Sequence, residues 1–129
     1  MGITVDVSDH MTTVRTILSP DLSVAAVSSK NNKDMGIVEG DILSAEKGIT
    51  RLIHIDKNNK LKAGDLIVTS GTSGLFPKDY SIGKVKSVSR DSNGLSDCAV
   101  IEPCSDISRL SSVYVITDFT GKREEGNEN

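Results

Sequence analysis

Two histidines, His10 and His54, and the run Ser70-Gly71-Thr72-Ser73-Gly74 are the residues of this chain best suited by type to carry out chemistry. A serine set among small residues in a strand-rich chain suits acyl transfer by a nucleophilic hydroxyl. That reaction needs a base at hydrogen-bond reach of the serine and a carboxylate that orients the base. Asp9 adjoins His10 and Asp56 lies near His54, but neighbours in sequence do not build a triad. A serine protease on two barrels also needs a cleft and a specificity pocket, for which 129 residues leave little room. The competing reading is one of shape, with glycines permitting a sharp reversal and hydroxyls satisfying turn backbone groups. The run lacks the GxxxxGK[ST] spacing of a phosphate cradle, and no helix follows it to face an anion. His10, His54, Cys98 and Cys104 show none of the close pairing of zinc ligands. No catalytic residue, cofactor site or metal site is therefore expected.

The elements that must position this run are strands. Residues 65–69 and 82–88 alternate apolar and polar on either side of it and read as a hairpin-like unit. Further strands are expected at 3–7, 11–18, 22–28, 42–45, 50–55, 95–102 and 113–116. Gly36 and Gly40 bracket Ile37-Val38 at positions where positive φ is expected. Polar turns fall at 8–10, 19–21, 30–34, 56–60 and 90–94, the last built on Asn93-Gly94. A single helical turn is expected at 105–110, and no long helix, since no apolar period of 3.6 persists. His54 alternates with Leu52 and reads as a partly buried strand residue. Lys84 and Lys86 mark a solvated face, and Phe76-Pro77 is expected to plug a barrel end. Gly40-Asp41-Ile42-Leu43 echoes Gly64-Asp65-Leu66-Ile67, as shared barrel grammar or as a short repeat.

Short strands at 8–12 residue spacing indicate an all-β chain of short antiparallel strands, a barrel or a sandwich. The apolar content rests on Val, Ile and Leu, with two Phe, two Tyr and no Trp. A net charge of −3 and the scarcity of aromatics argue against nucleic acid, which needs clustered cations and stacking platforms. No run reaches the roughly 18–20 apolar residues of a membrane helix. No signal peptide is visible, and Met1-Gly2 stands directly against the first strand. Cys98 and Cys104 lie too far apart along a straight strand to bridge; a disulfide stays open only if Pro103 turns the chain, and two small buried thiols are the preferred reading. Residues 118–129 are expected to form a disordered tail after a core at 1–117.

Gly64-Asp65-Leu66-Ile67-Val68-Thr69-Ser70-Gly71, Gly74-Leu75-Phe76-Pro77-Lys78 and Ile82-Gly83-Lys84-Val85 follow one another in an order that resembles the MreC family of rod shape-determining proteins. Asp34-Met35-Gly36-Ile37-Val38-Glu39-Gly40 and residues 103–115 are similar to further parts of its β core. The residues that carry the resemblance are Gly64, Asp65, Thr69, Ser70, Gly71, Gly74, Phe76, Pro77, Gly83 and Val85, in structural roles. Asp79 departs from it, standing where the family usually has Gly.

The resemblance implies a two-barrel core of which this chain holds the second barrel and part of the first, leaving one barrel short of strands with an open edge. It also implies a non-catalytic scaffold on the outer face of the cytoplasmic membrane of bacteria. Such a scaffold binds penicillin-binding proteins and membrane components of the shape-determining complex, and self-associates. Its membrane anchor is expected in a segment outside this chain. A serine-protease-like hydrolase and a ligand-binding β module are the alternatives.

Overall fold

The computed structural model describes residues 1–8, 11–31, 33–72, 74, 76–105 and 116. Among the described residues eight strands and one short helix follow in the order β1 (Gly2–Val7), β2 (Thr12–Thr16), β3 (Ser23–Ser28), β4 (Met35–Glu39), α1 (Ile42–Glu46), β5 (Thr50–Ile55), β6 (Leu66–Thr69), β7 (Ser81–Arg90) and β8 (Asp97–Pro103). β1 and β2 form a two-stranded antiparallel sheet, and the other six close into a barrel ordered β3-β4-β5-β8-β7-β6. The expected turn at 105–110, strand at 113–116 and tail at 118–129 lie outside the described residues, except for Ile116.

Alternation builds the barrel. β8 buries Asp97, Ala99 and Ile101 and turns Cys98, Val100 and Glu102 outward, and β5 buries Thr50, Leu52 and Ile55. Successive strands pair in register, as in Val24 against Val38 and Val38 against Leu52. The interior is aliphatic, with Val24, Ala26, Val38, Leu52, Ile55, Ile67, Ile82, Val85, Ala99 and Ile101 buried together. Leu61 from the connection entering β6 and Phe76 from the connection leaving it join this cluster.

The hairpin β1–β2 is tied to the barrel at its base. Ile17 N donates to Met1 O at 3.0 Å, and the buried Thr50 hydroxyl donates to Ile17 O at 2.9 Å. Ile17 belongs to the core, and Met1 and Ile3 pack against it.

Several local expectations are corrected. Residues 42–45 form helix α1, because Asp41 caps it: its carboxylate accepts Ser44 N at 3.0 Å and the Ser44 hydroxyl at 2.6 Å. Four apolar-rich residues carry no period that separates one helical turn from a strand. Gly36 and Gly40 do not adopt positive φ. Their role is close approach: a Cβ on Gly36 would lie 2.7 Å from Ile53 O, and one on Gly40 2.2 Å from Leu18 O.

His54 is exposed, at φ 60, in a bulge between Leu52 and Ile55 where β5 meets β8. Cys98 and Cys104 are free; Cys98 is half-buried within β8 and Cys104 is exposed just beyond Pro103, the residue at which β8 ends. The 90–94 turn begins one residue later, because β7 extends to Arg90 and Asp91 N donates to Ser96 O at 2.9 Å.

The tightest point in the wall is Gly83 on β7. A Cβ there would stand 2.3 Å from Glu102 O and 2.9 Å from the Ile101 side chain. The obstacle is backbone of the paired strand, so neither side can give cheaply. Gly83→Ala is expected to destabilise the chain by about 1–3 kcal/mol through overpacking. Gly48→Ala, at φ 71 with open space around it, is expected to cost no more than about 1 kcal/mol. Urea unfolding of both variants checks the ranking.

Candidate functional site

The connection between β6 and β7 carries the hydroxyls and glycines singled out by sequence, and Thr69 organises it. Thr69 ends β6 with no exposed surface. Its hydroxyl donates to Pro77 O and accepts from Tyr80 N at 2.9 Å. Its backbone closes the loop as well: Thr69 N donates to Tyr80 O at 2.8 Å, and Asp79 N to Thr69 O at 2.9 Å. One buried side chain therefore gathers both ends of an eleven-residue excursion, so the threonine is positioned for structure. Phe76 turns inward into the core.

Ser70 leaves the strand with its N–H donated to Ala25 O at 3.0 Å. Its hydroxyl lies 3.0 Å from that of Thr72. His54, the histidine within the described residues, makes no hydrogen bond to it. Ser73, His10 and Asp9 lie outside the described residues. Gly71 and Gly74 have φ 76 and 72. At Gly71 a Cβ would also meet Lys78 Cβ at 2.9 Å, so conformation and space both ask for glycine.

Asp79, the departure from the family pattern, has φ 67. The turn is thus kept in the left-handed region, which aspartate tolerates better than most residues and glycine adopts freely.

The second group gathers at the start of β6. Gly64, at φ 94, donates its N–H to Val85 O at 2.7 Å, and Val85 N donates to Asp65 O at 2.9 Å. Val85 is itself buried in the core. The Asp65 carboxylate accepts Lys62 N at 2.9 Å and pairs with Lys30 at 3.1 Å. The hydrogen bond from Lys62 N–H, and then the Lys30 ammonium, hold its carboxyl below the usual carboxylate range. Asp65 thereby fixes the turn entering β6 and ties it to the end of β3, where Ser29 N donates to Leu66 O at 3.0 Å.

The motif residues thus fall into two places. Thr69, Ser70, Gly71, Gly74, Phe76 and Pro77 form the corner leaving β6; Gly64, Asp65 and Val85 form the corner entering it, with Gly83 in the wall of β7 beside β8. Sequence reasoning missed the outward-turned His54 and the surface it shares with Leu95. The bulge that exposes it depends on pairing with a distant strand, so no local signal marked it. Among the described residues no three His, Cys, Asp or Glu side chains gather as metal ligands. No helix among them is long and apolar enough to cross a membrane.

Two predictions test the corners. Thr69→Val keeps the shape but leaves Pro77 O and Tyr80 N without their partner, and is expected to cost about 1–3 kcal/mol. Ser70→Ala is expected to stay within about 0.5 kcal/mol, and Asp79→Gly to gain about 0.5–1 kcal/mol by relieving the left-handed residue; thermal and urea unfolding of the three variants check the signs.

For Asp65, a folded-state pKa below the unfolded value means stability that is present above the unfolded pKa and lost as pH falls through the folded one. Between about pH 5 and pH 2 the native chain is therefore expected to lose more stability than Asp65→Asn, as read from urea midpoints across that range.

The family model for rod shape-determining protein MreC, barrel core, matches residues 1–117. The cell shape-determining protein MreC of Geobacillus stearothermophilus is 38% identical over 89 residues, covering 67% of this chain and 30% of that protein. The solved structure of MreC from Listeria monocytogenes superposes with a TM-score of 0.70 at 31% identity, over 81% of this chain and 50% of that one. A complex between a penicillin-binding protein (PBP2) and MreC from Helicobacter pylori matches with a TM-score of 0.62 at 20% identity, over 78% of this chain and 59% of that one. At that identity the likeness is one of fold. The chain spans less than a third of the length of the Geobacillus relative. With the barrel, its two corners and a family match over nearly its whole length in agreement, the chain belongs to the MreC family of rod shape-determining proteins.

Proposed function

We propose that this chain is the β core of a non-catalytic scaffold that maintains rod cell shape by binding and organising peptidoglycan synthases of the cell-wall elongation machinery. The observation that carries this reading is family membership together with the Helicobacter pylori complex, in which an MreC of the same fold is bound to a penicillin-binding protein. A penicillin-binding protein is accordingly the partner proposed here, alongside membrane components of the shape-determining complex and further copies of the chain. The site of action is the bacterial cell envelope, on the outer side of the cytoplasmic membrane.

The geometry supports a binding role over catalysis. The Thr69 hydroxyl and the Asp65 carboxylate, polar groups central to the motif corners, are committed to backbone and to Lys30. Groups held in this way shape a corner of the fold. The hairpin β1–β2 fits the same reading. Two strands alone are marginal in water, so we infer that it is part of a further barrel completed by strands from outside the described residues.

The test pairs binding with chemistry. The chain is expected to bind the purified soluble domain of a penicillin-binding protein from a rod-shaped bacterium, as measured by biolayer interferometry. It is also expected to stay unlabelled by a fluorophosphonate under conditions that label a serine hydrolase. Labelling that disappears in Ser70→Ala or Ser73→Ala, without binding, would overturn the scaffold reading in favour of a hydrolase.

A further inference from the structure

At the end of β5 the chain does something costly. His54 is held at φ 60, a conformation that non-glycine residues rarely adopt, while Ile55 beside it is fully buried. The bulge against β8 turns the imidazole outward into solvent. Glycine would occupy that position without strain, so the outward imidazole marks a place where strain is kept for use.

Across from it stands the tip of the β7–β8 hairpin, where Leu95 is 76% exposed. The tip is not loose: Leu95 N donates to the Asn93 side chain at 2.8 Å and Gly94 N to Asp91 O at 2.9 Å. Between the two lies a shallow cavity of about 460 Å³ lined by His54, Asp56, Lys57, Asn58, Leu95 and other residues.

The walls of this cleft are tied to each other. The Asn59 amide donates to Asp56 O at 2.7 Å and to Asp97 Oδ2 at 2.8 Å, while Asp97 Oδ1 accepts from Arg90 Nε at 2.6 Å. One side-chain amide thus joins the β5–β6 connection to the hairpin arm, which fixes the cleft before anything binds. Its acids are partly engaged. Asp97 uses both oxygens in this way, and Asp56 Oδ1 accepts Asn58 N at 2.8 Å. His54 and Lys57 have no side-chain hydrogen bond or ion pair among the described residues. The cleft therefore offers two donors without hydrogen-bond partners, His54 and the Lys57 ammonium that also faces Asp97, beside one exposed leucine and the Asp56 carboxylate.

We propose that this cleft, framed by His54, Lys57 and Leu95, is the docking site for a segment of the partner synthase that presents a carboxylate next to an apolar side chain. The proposal rests on the scaffold reading above and names the face that performs it. The carboxylate meets Lys57 and His54, and the apolar side chain covers Leu95. Charge sets approach and register, and the leucine supplies the buried contact.

The experiment is a titration of the full ¹⁵N-labelled chain with the soluble domain of the penicillin-binding protein, with Leu95→Ser, Lys57→Glu and His54→Gly measured in parallel. Amide shifts are expected to cluster on residues 54–58 and 93–96. Leu95→Ser and Lys57→Glu should each weaken binding about tenfold, the second effect fading as salt is raised. His54→Gly should also weaken binding while melting no lower than the native chain, a split that loss of fold does not produce. Shifts confined to another face, with all three variants binding as the native chain does, overturn this cleft and leave the scaffold reading standing. No binding by the native chain overturns both.

Discussion

Closure of the barrel depends on one short ladder, in which Ala26, Val27 and Ser28 of β3 face Thr69, Val68 and Ile67 of β6. Ser70 N to Ala25 O and Ser29 N to Leu66 O extend it at its two ends. Without this ladder the six strands would be an open sheet with two bare edges; with it every edge is consumed. Six strands bent round so narrow a core leave room only for small and branched side chains. That is why Ala26 and Ala99 stand inside among valines, leucines and isoleucines, and why the aromatic Phe76 arrives from a loop. Bulges in the β5–β8, β6–β7 and β7–β8 pairings bend the strands to the required radius. Where bending brings two backbones together, as at Gly83 against Glu102, a side chain has no place.

The same constraint explains why the most chemistry-like run in the sequence is a structural corner. β6 has only four residues, so the turns at its two ends must hold it against both β3 and β7. Thr69 supplies this at one end with a buried hydroxyl, and Asp65 at the other with a carboxylate bonded to Lys62 N and Lys30. Removing either polar atom would weaken the ladder on which closure rests. The functional surface is then to be sought where the fold spends free energy without structural return, as at His54.

Much of this was legible in the residues, and the misses have a common cause. Alternation identified five of the six barrel strands, all but β4 with its Gly36, because a half-buried strand imposes period two on its own sequence. Gly40-Asp41-Ile42-Leu43 and Gly64-Asp65-Leu66-Ile67 are near twins that end differently. Asp41 finds Ser44 three residues ahead and caps a helix, whereas Asp65 reaches back to Lys62 and leads into a strand. The choice lies in neighbours outside the matching four residues. The settings of His54 and Gly36 were fixed by partner strands far away in sequence, which a local pattern does not encode.

The β1–β2 hairpin obeys the rule that closes the barrel, but with its terms unfilled. Burial declines along it from the base, where Ile17 is in the core and Ile3 packs against it, to Val7, which is 70% exposed beside the turn. Val5 and Val14 line an apolar groove of about 680 Å³, whose opposite wall is Ile42 and Ala45 of α1. Helix α1 buries none of its own residues and turns Ile42 and Leu43 outward. A capped helix of five residues and a ribbon of two strands are each too short to be stable unaided. Here both are anchored to the barrel, at Asp41–Arg51 and at Ile17–Thr50, and both direct their remaining apolar surface away from it. Anchored inward and apolar outward is the condition of elements that belong to two cores at once. It is the physical ground on which the proposal of a further barrel beside this hairpin rests.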